Sequence, residues 1–260
     1  MEINMNEKTK TALITGASSG MGRDMARYLA SLNYDLILVA RREDRLVELK
    51  DELESVNVRI IPLDLSKAEN CFKLYDVVKD DNVEFLINNA GFGAYGKFNE
   101  VPLEKELQLI DTNIKALHIL TKLFIKDMIN RNRGYILNVG SAAGFLAGPT
   151  FSSYYASKNY VVRLTEAIHE EMRRDKINVK VSALCPGPVN TEFNKVADVN
   201  FAVGGLKSEY VAKLAIDKTL KGKMIITPGK LMKLAKFGEH FLSEKRLTRM
   251  SYDMQMKRKS

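Results

Sequence analysis

Thr11-Ala-Leu-Ile-Thr15-Gly16-Ala-Ser-Ser-Gly20-Met-Gly22 decides how the rest of this 260-residue chain is read. Its first five residues make a short apolar strand, and a helical pattern begins at Gly20 and runs to about Ser31. The glycines between them permit a tight turn and close backbone approach. A helix N-terminus behind such a turn offers unpaired N–H groups to a pyrophosphate, so strand, glycine turn and helix in this order predict the opening of a dinucleotide-binding fold. The spacing is Gly-x-x-x-Gly-x-Gly rather than Gly-x-Gly-x-x-Gly, and a plain structural turn is the competing reading of the three glycines taken alone.

Strands and helices alternate outward from this point. Asp35–Ala40 is a second strand, and it ends in Arg41-Arg42 where an NAD-preferring site would place an acidic residue for the ribose 2′-hydroxyl. A guanidinium there pairs instead with a 2′-phosphate through forked, charge-assisted hydrogen bonds. The position therefore favours NADP(H) over NAD(H), with Arg41 as the phosphate partner. A solvated basic loop ahead of a helix over 43–55 is the plainer alternative. Val58–Leu63 is a third strand closed by Asp64-Leu65, where the carboxylate suits either a helix cap or an adenine amino group. Val83–Ile87 runs into Asn88-Asn89-Ala90-Gly91, and Pro102 to about Arg131 reads as one long helix with proline in its first turn. Asn113 lies inside that helix. Its amide competes with the backbone, so it either opens the helix and holds a water or bonds a neighbouring loop.

Gly134–Gly140 is a buried strand ending at Ser141, and Ser152–Arg174 is a helix carrying Tyr154 and Lys158 one turn apart on one face. A phenol has an ordinary pKa of about 10. A nearby ammonium favours the phenolate and is expected to draw that value down towards working pH. Ser141, at a strand's carboxyl end, can lean over the tyrosine and hydrogen-bond a substrate oxygen. An isolated Tyr-x-x-x-Lys is more often a surface pair, so the reading depends on its company. Asn178–Leu184 and Lys223–Thr227 complete the strands, with a helix over 208–221 capped by Ser208. Residues 192–207, with Gly204-Gly205, suit a mobile loop over the site. The alternation predicts an α/β fold, a single doubly wound parallel sheet of about seven strands with helices on both faces. No repeat, linker or second domain interrupts residues 1–260.

Composition narrows the field: 45% of residues are hydrophobic and 28% charged, as in an ordinary globular chain able to bury a large core. Cys71 and Cys185 form no disulfide or metal-knuckle pattern, His118, His169 and His240 are dispersed, and no signal-peptide or membrane-span pattern occurs. A cytoplasmic, metal-free protein is expected. From Lys207 onward, 14 lysines and arginines face 5 acidic residues.

With these pieces in place, the chain resembles the short-chain dehydrogenase/reductase family over about residues 8–230. The likeness rests on Thr15-Gly16-Ala-Ser-Ser-Gly20-Met-Gly22, Asn88-Asn89-Ala90-Gly91, Asn113, Ser141, Tyr154-x-x-x-Lys158 and Pro186-Gly187 in this order. It implies a Rossmann-type fold and reversible hydride transfer between a nicotinamide cofactor and a carbonyl or secondary alcohol. On matching positions it implies Tyr154 as general acid or base, with Lys158 lowering its pKa and binding ribose hydroxyls. Ser141 would polarise the substrate oxygen and Asn113 would hold a relay water. Tyr155 is a rival phenol whose offset from Lys158 breaks the family spacing. The cofactor would be lined by Gly16, Ser18, Ser19, Gly20, Met21, Gly22, Arg41, Arg42, Asp64, Leu65, Asn89, Ala90, Gly91, Pro186, Gly187, Val189 and Thr191, together with Tyr154 and Lys158.

The chain departs from the family's ordinary length in a helical extension over 229–260, where Leu231, Leu234, Phe237, Phe241 and Leu242 recur at helical spacing. A homodimer or homotetramer is expected, although this extension puts the usual tetramer interface around the last strand in question. The basic tail can cover the pocket, pack in a dimer, touch anionic membrane over residues 230–260, or attract an acidic ligand. The membrane surface is not the favoured reading, and no module supports nucleic-acid binding. Phe92, Tyr95, Phe98, Phe145, Phe151, Phe193 and Phe201 lie in or near loops over 92–98, 142–151 and 190–207, which hints at an apolar pocket. The expected activity is reduction or oxidation of a hydrophobic small molecule such as a 3-oxoacyl thioester, a hydroxysteroid or a general ketone. A non-catalytic dinucleotide sensor or scaffold, or a membrane-associated lipid reductase, is the alternative.

Overall fold

The computed structural model of the protein describes residues 10–193, 205–229 and 242–256. Its strands are β1 (Lys10–Thr15), β2 (Tyr34–Ala40), β3 (Val58–Pro62), β4 (Val83–Asn88), β5 (Gly134–Val139), β6 (Val179–Leu184) and β7 (Ile225–Ile226). They form a seven-stranded sheet in the order β3-β2-β1-β4-β5-β6-β7, every adjacent pair parallel. Sequence order reverses between β1 and β4, and in such sheets a ligand crevice opens beyond the carboxyl ends of the strands at that reversal.

Parallel strands covered on both faces read as continuous apolar runs, because successive side chains point to opposite cores. In β1, Ala12 and Ile14 pack with Met25 and Leu29 of α1 (Gly20–Ser31), Leu46 and Leu49 of α2 (Glu43–Glu52), and helix α7 (Ser208–Leu220). Leu13, between them, faces the other core, built from α3 (Ala68–Val78), α5 (Leu117–Asn130) and Met172 of α6 (Ser152–Arg174). Leu13 is fully buried, and burying a side chain of that size contributes about 1.5–3 kcal/mol. This sheet, with helices on both faces, is the α/β architecture read from the sequence.

The expected helix over 102–131 is α4 (Leu103–Ile110), one π-helical stretch at Asp111–Ala116, and α5. A π turn inserts an extra residue into the helical ladder and is found frequently at functional sites. Ser208 is not the cap of α7: Lys207 holds the extended capping position, and Ser208 begins the helix with its hydroxyl buried. The other end of the chain carries α8 (Glu244–Met256), the described part of the helical extension. Most of the expected mobile loop, at 194–204, lies outside the described residues. So do Leu231, Leu234, Phe237 and Phe241. Among the described residues no helix is long and apolar enough to cross a membrane.

Candidate active site

The crevice at the β1/β4 reversal is held by a few short polar contacts. Thr15 Oγ1 donates to the Ile87 carbonyl oxygen (3.2 Å) and accepts from the backbone N–H groups of Asn89 (2.9 Å) and Ala90 (3.0 Å). Asn89 Nδ2 donates back to the carbonyl oxygens of Thr15 (3.0 Å) and Gly16 (3.1 Å). These bonds tie the glycine turn to the end of β4, and they explain two glycines. Gly16 has φ 66°, and a Cβ there would lie 2.8 Å from Asn89 Nδ2. At Gly22 a Cβ would press into the Gly16 carbonyl oxygen and stand 2.5 Å from the same amide. Ser19 makes no side-chain capping bond to α1, which leaves the first amides of that helix without a side-chain partner from the cap. A dinucleotide fits this arrangement: a turn with glycine at Gly16 and Gly20, where a side chain would be strained, followed by a helix N-terminus.

The second arm of the crevice comes from the segment after β6. Ala142 N–H donates to the Pro186 carbonyl oxygen (2.8 Å). Val189 is buried and bridges Leu206, with paired backbone bonds from Asn190 and Leu206 closing the strap. Thr191 lies directly over the glycine turn, since a Cβ on Gly20 would stand 3.1 Å from it.

Between these arms the structure brings Ser141, Tyr154, Lys158 and Asn113 together. Ser141 stands just beyond β5 and precedes a 3₁₀ turn at Ala142–Phe145, where its hydroxyl accepts from Ala143 N–H (3.1 Å). Tyr154 is 8% exposed, and Lys158 Nζ lies 5.8 Å from its ring centroid. Lys158 is also buried and donates to the Val139 carbonyl oxygen (2.7 Å). Burial pushes the Tyr154 hydroxyl up to about 12, and a hydrogen bond with Ser141 works in the opposite direction. The net direction is upward, not the lowering expected from the sequence, because loss of hydration on burial is the largest cause. Burial also lowers Lys158 to about 8, because the charged ammonium is the form that loses hydration. Both shifts have one cause, a dry site.

Asn113 sits within the π stretch and is buried. Its Oδ1 accepts from Phe92 N–H (3.1 Å), while Nδ2 donates to the Phe92 carbonyl oxygen (2.9 Å) and to Ser157 Oγ (3.2 Å). The helix is opened at Asn113, and its side chain clamps a neighbouring loop, the plainer of the two readings. Gly91 makes room for it, since a Cβ there would lie 2.8 Å from Asn113 Oδ1 and 3.7 Å from Lys158 Nζ.

Aromatic side chains line the approach to Tyr154. Phe151 stacks on its ring at 4.6 Å between centroids, and Phe193 stands 5.5 Å away. Phe92, Tyr95 and Val101 join the same cluster. Thr150, buried and β-branched, takes φ 65°, a backbone conformation that costs about 1–3 kcal/mol and turns the chain into Phe151. Other loop aromatics behave differently. Phe145 packs with Val162, Ala183 and Cys185, Phe98 is 69% exposed, and Phe201 lies outside the described residues. The Tyr155 ring packs against Gly148 and Phe151.

At the far end of the crevice, Arg42 rather than Arg41 reaches the glycine turn. Its Nη2 donates to Ser18 Oγ (3.2 Å) and Ser19 Oγ (3.0 Å). Arg45, from the first turn of α2, joins Arg42 on Glu192. Neither Arg45 nor Glu192 could be singled out from the sequence, because one lies in a mixed-charge helix and the other 147 residues away. Asp64 Oδ1 accepts from the N–H (3.0 Å) and hydroxyl (2.8 Å) of Ser66, closing a local turn. It is not the cap of α3, which is Lys67. The Leu65 side chain packs in the core. Among the described residues no group of three or more His, Cys, Asp or Glu is placed to hold a metal ion.

The comparisons with known proteins agree with this fold. A Staphylococcus epidermidis protein described as an uncharacterized oxidoreductase is 30% identical over 194 residues, covering 74% of this chain and 83% of its own. A Burkholderia phymatum short-chain dehydrogenase/reductase in complex with NAD superposes with TM-score 0.82 at 28% identity, over 90% of this chain and 94% of the other. A Sphingobium yanoikuyae short-chain dehydrogenase in complex with NADPH gives TM-score 0.80 at 27% identity, over 89% and 95%. The model of the short chain dehydrogenase family matches residues 10–200, from β1 through the strap that crosses the glycine turn. On that match, and on the sheet and crevice that carry it, this chain belongs to the short-chain dehydrogenase family.

Proposed function

We propose that this protein is an NADP(H)-dependent oxidoreductase that interconverts a carbonyl and a secondary alcohol on an apolar small molecule. One observation carries the reaction class: a buried phenol, with Ser141 acting on its hydroxyl and Lys158 one turn away, stands at the carboxyl ends of the strands beside the glycine turn. A bound nicotinamide dinucleotide supplies or accepts the hydride. The chain's own residues manage the proton and the charge. With its pKa at about 12, Tyr154 keeps its proton at neutral pH and serves as the general acid in carbonyl reduction. Ser141 holds the substrate oxygen. Lys158 favours the phenolate that remains after proton transfer and binds the cofactor's ribose hydroxyls. Asn113 holds the loop at Phe92 and the helix at Ser157 in register. The aromatic cluster around Tyr154 excludes water and suits substrates such as 3-oxoacyl thioesters, hydroxysteroids or general ketones.

Support for NADP(H) comes from the end of β2. Ala40 stands where an acidic residue would reject a phosphate, Arg42 brings its guanidinium onto Ser18 and Ser19, and Arg45 shares Glu192 with it. Calorimetric titration of wild type, Arg42→Ala and Arg41→Ala with NADPH and NADH tests this reading. The expected result is an NADPH preference that Arg42→Ala abolishes and Arg41→Ala mostly retains. Equal or tighter NADH binding by the wild type refutes the cofactor assignment. Absence of turnover on any ketone panel, with cofactor bound, revives the sensor alternative.

A further inference from the structure

Three consecutive residues after β6 meet three parts of the site. Thr191 covers Gly20, Phe193 packs near the Tyr154 ring, and Glu192, between them, reaches the arginines beyond β2. Glu192 Oε1 and Oε2 both lie 2.7 Å from Arg45 Nη1, and Oε2 lies 3.3 Å from Arg42 Nη1. The other terminal nitrogen of Arg42 is engaged by Ser18 and Ser19. All three charged side chains keep contact with solvent, at 32–45% exposure, so an incoming anion can reach them.

We propose that Glu192 is an internal anion seated on Arg42 and Arg45, which the 2′-phosphate of NADP(H) must displace and which NAD(H) leaves in place. The inference rests on the NADP(H) reading and deepens it by naming a residue that sets how strong the preference is. The physical reason is competition for the same donors. A phosphate monoester carries up to two negative charges and three acceptor oxygens, so it outcompetes one carboxylate for a pair of guanidinium groups. A ribose 2′-hydroxyl is uncharged and has no comparable claim on them. Part of the phosphate's binding energy is spent on releasing Glu192. The arginines beside it hold its carboxyl below the usual carboxylate range, Arg45 most strongly, so it stays an anion at neutral pH. Glu192 thus moderates a preference that Arg42 and Arg45 create.

Titration calorimetry on the full-length wild type, Glu192→Gln and Glu192→Ala with NADPH, NADH and 2′,5′-ADP tests the proposal. Both substitutions are on an exposed side chain, and unchanged thermal unfolding verifies that the fold is intact. Both variants are expected to bind NADPH and 2′,5′-ADP about threefold to tenfold more tightly, the range for freeing two exposed ion pairs. NADH affinity is expected to stay within about twofold. The gain should shrink in roughly 0.5 M salt, where exposed charges are screened. If the wild type prefers NADPH and Arg42→Ala removes that preference, yet the Glu192 variants bind NADPH no better, the inference is overturned and the cofactor reading stands. If NADH weakens in the Glu192 variants while NADPH does not improve, Glu192 is a ribose-hydroxyl acceptor and the inference is likewise overturned. A wild type and Glu192→Gln that both favour NADH overturn the cofactor reading itself.

Discussion

The dry pairing of Tyr154 and Lys158 makes a quantitative prediction about pH. Lys158 is lowered to about 8 by burial, so its charge is lost as pH rises through that value. Tyr154 is raised to about 12, so it keeps its proton throughout the same window. In the reaction proposed above, carbonyl reduction uses both the phenol and the ammonium. By simple titration Lys158 is about nine-tenths charged at pH 7 and about one-tenth charged at pH 9. Taking the 5.8 Å from Lys158 Nζ to the Tyr154 ring centroid as the separation, and an effective dielectric of about 20, one unit charge favours the neighbouring phenolate by roughly 3 kcal/mol, or about two orders of magnitude in rate. The assay is kcat/KM for NADPH in the reductive direction, which reports groups of the free enzyme. Wild type is expected to lose about tenfold between pH 7 and pH 9. Lys158→Met is expected to start about 100-fold lower and to lack that limb. A flat wild-type profile over this range, or a limb near pH 8 that survives in Lys158→Met, would refute the reasoning.

Two further outcomes follow from the site. Tyr154→Phe removes the proton donor while keeping the ring that stacks on Phe151, so reduction is expected to fall about 10²–10⁴-fold with NADPH affinity nearly intact, as read by stopped-flow kinetics and calorimetry. Loss of cofactor binding in that variant would instead make Tyr154 a structural residue. Gly22→Ala places a methyl group against the Gly16 carbonyl oxygen and Asn89, which must shift. A cost of about 1–3 kcal/mol is expected, visible as a melting temperature lower by about 2–4 °C per kcal/mol and as weaker nucleotide binding. Unchanged melting and affinity would show that the glycine turn tolerates a side chain.

Local chemistry was legible in the sequence wherever one residue's neighbours along the chain carried the signal. Thr11–Gly22 specified strand, turn and helix because apolar periodicity and glycine act over a few residues, and the structure has β1, the turn and α1 there. The seven-stranded parallel sheet followed from the alternation of such units. Tyr154 and Lys158 share a helix face at i, i+4, so their proximity was also local. Their pKa values were not: desolvation depends on everything packed around a group, and it raised Tyr154 where the pair alone suggested lowering. The π stretch at Asp111–Ala116 and the Asn113 clamp on Phe92 depend on a loop 21 residues away. Sorting Phe151 and Phe193 towards Tyr154, and Phe145 away from it, needed the packing of distant elements. The same holds for Glu192, whose partners stand 147 and 150 residues earlier. The sequence by itself determined the order of elements and the kinds of groups at strand ends, because those follow from short-range periodicity and turn chemistry. Only the tertiary structure decided which charges meet and how dry they are, because Coulomb attraction and burial act through space and not along the chain.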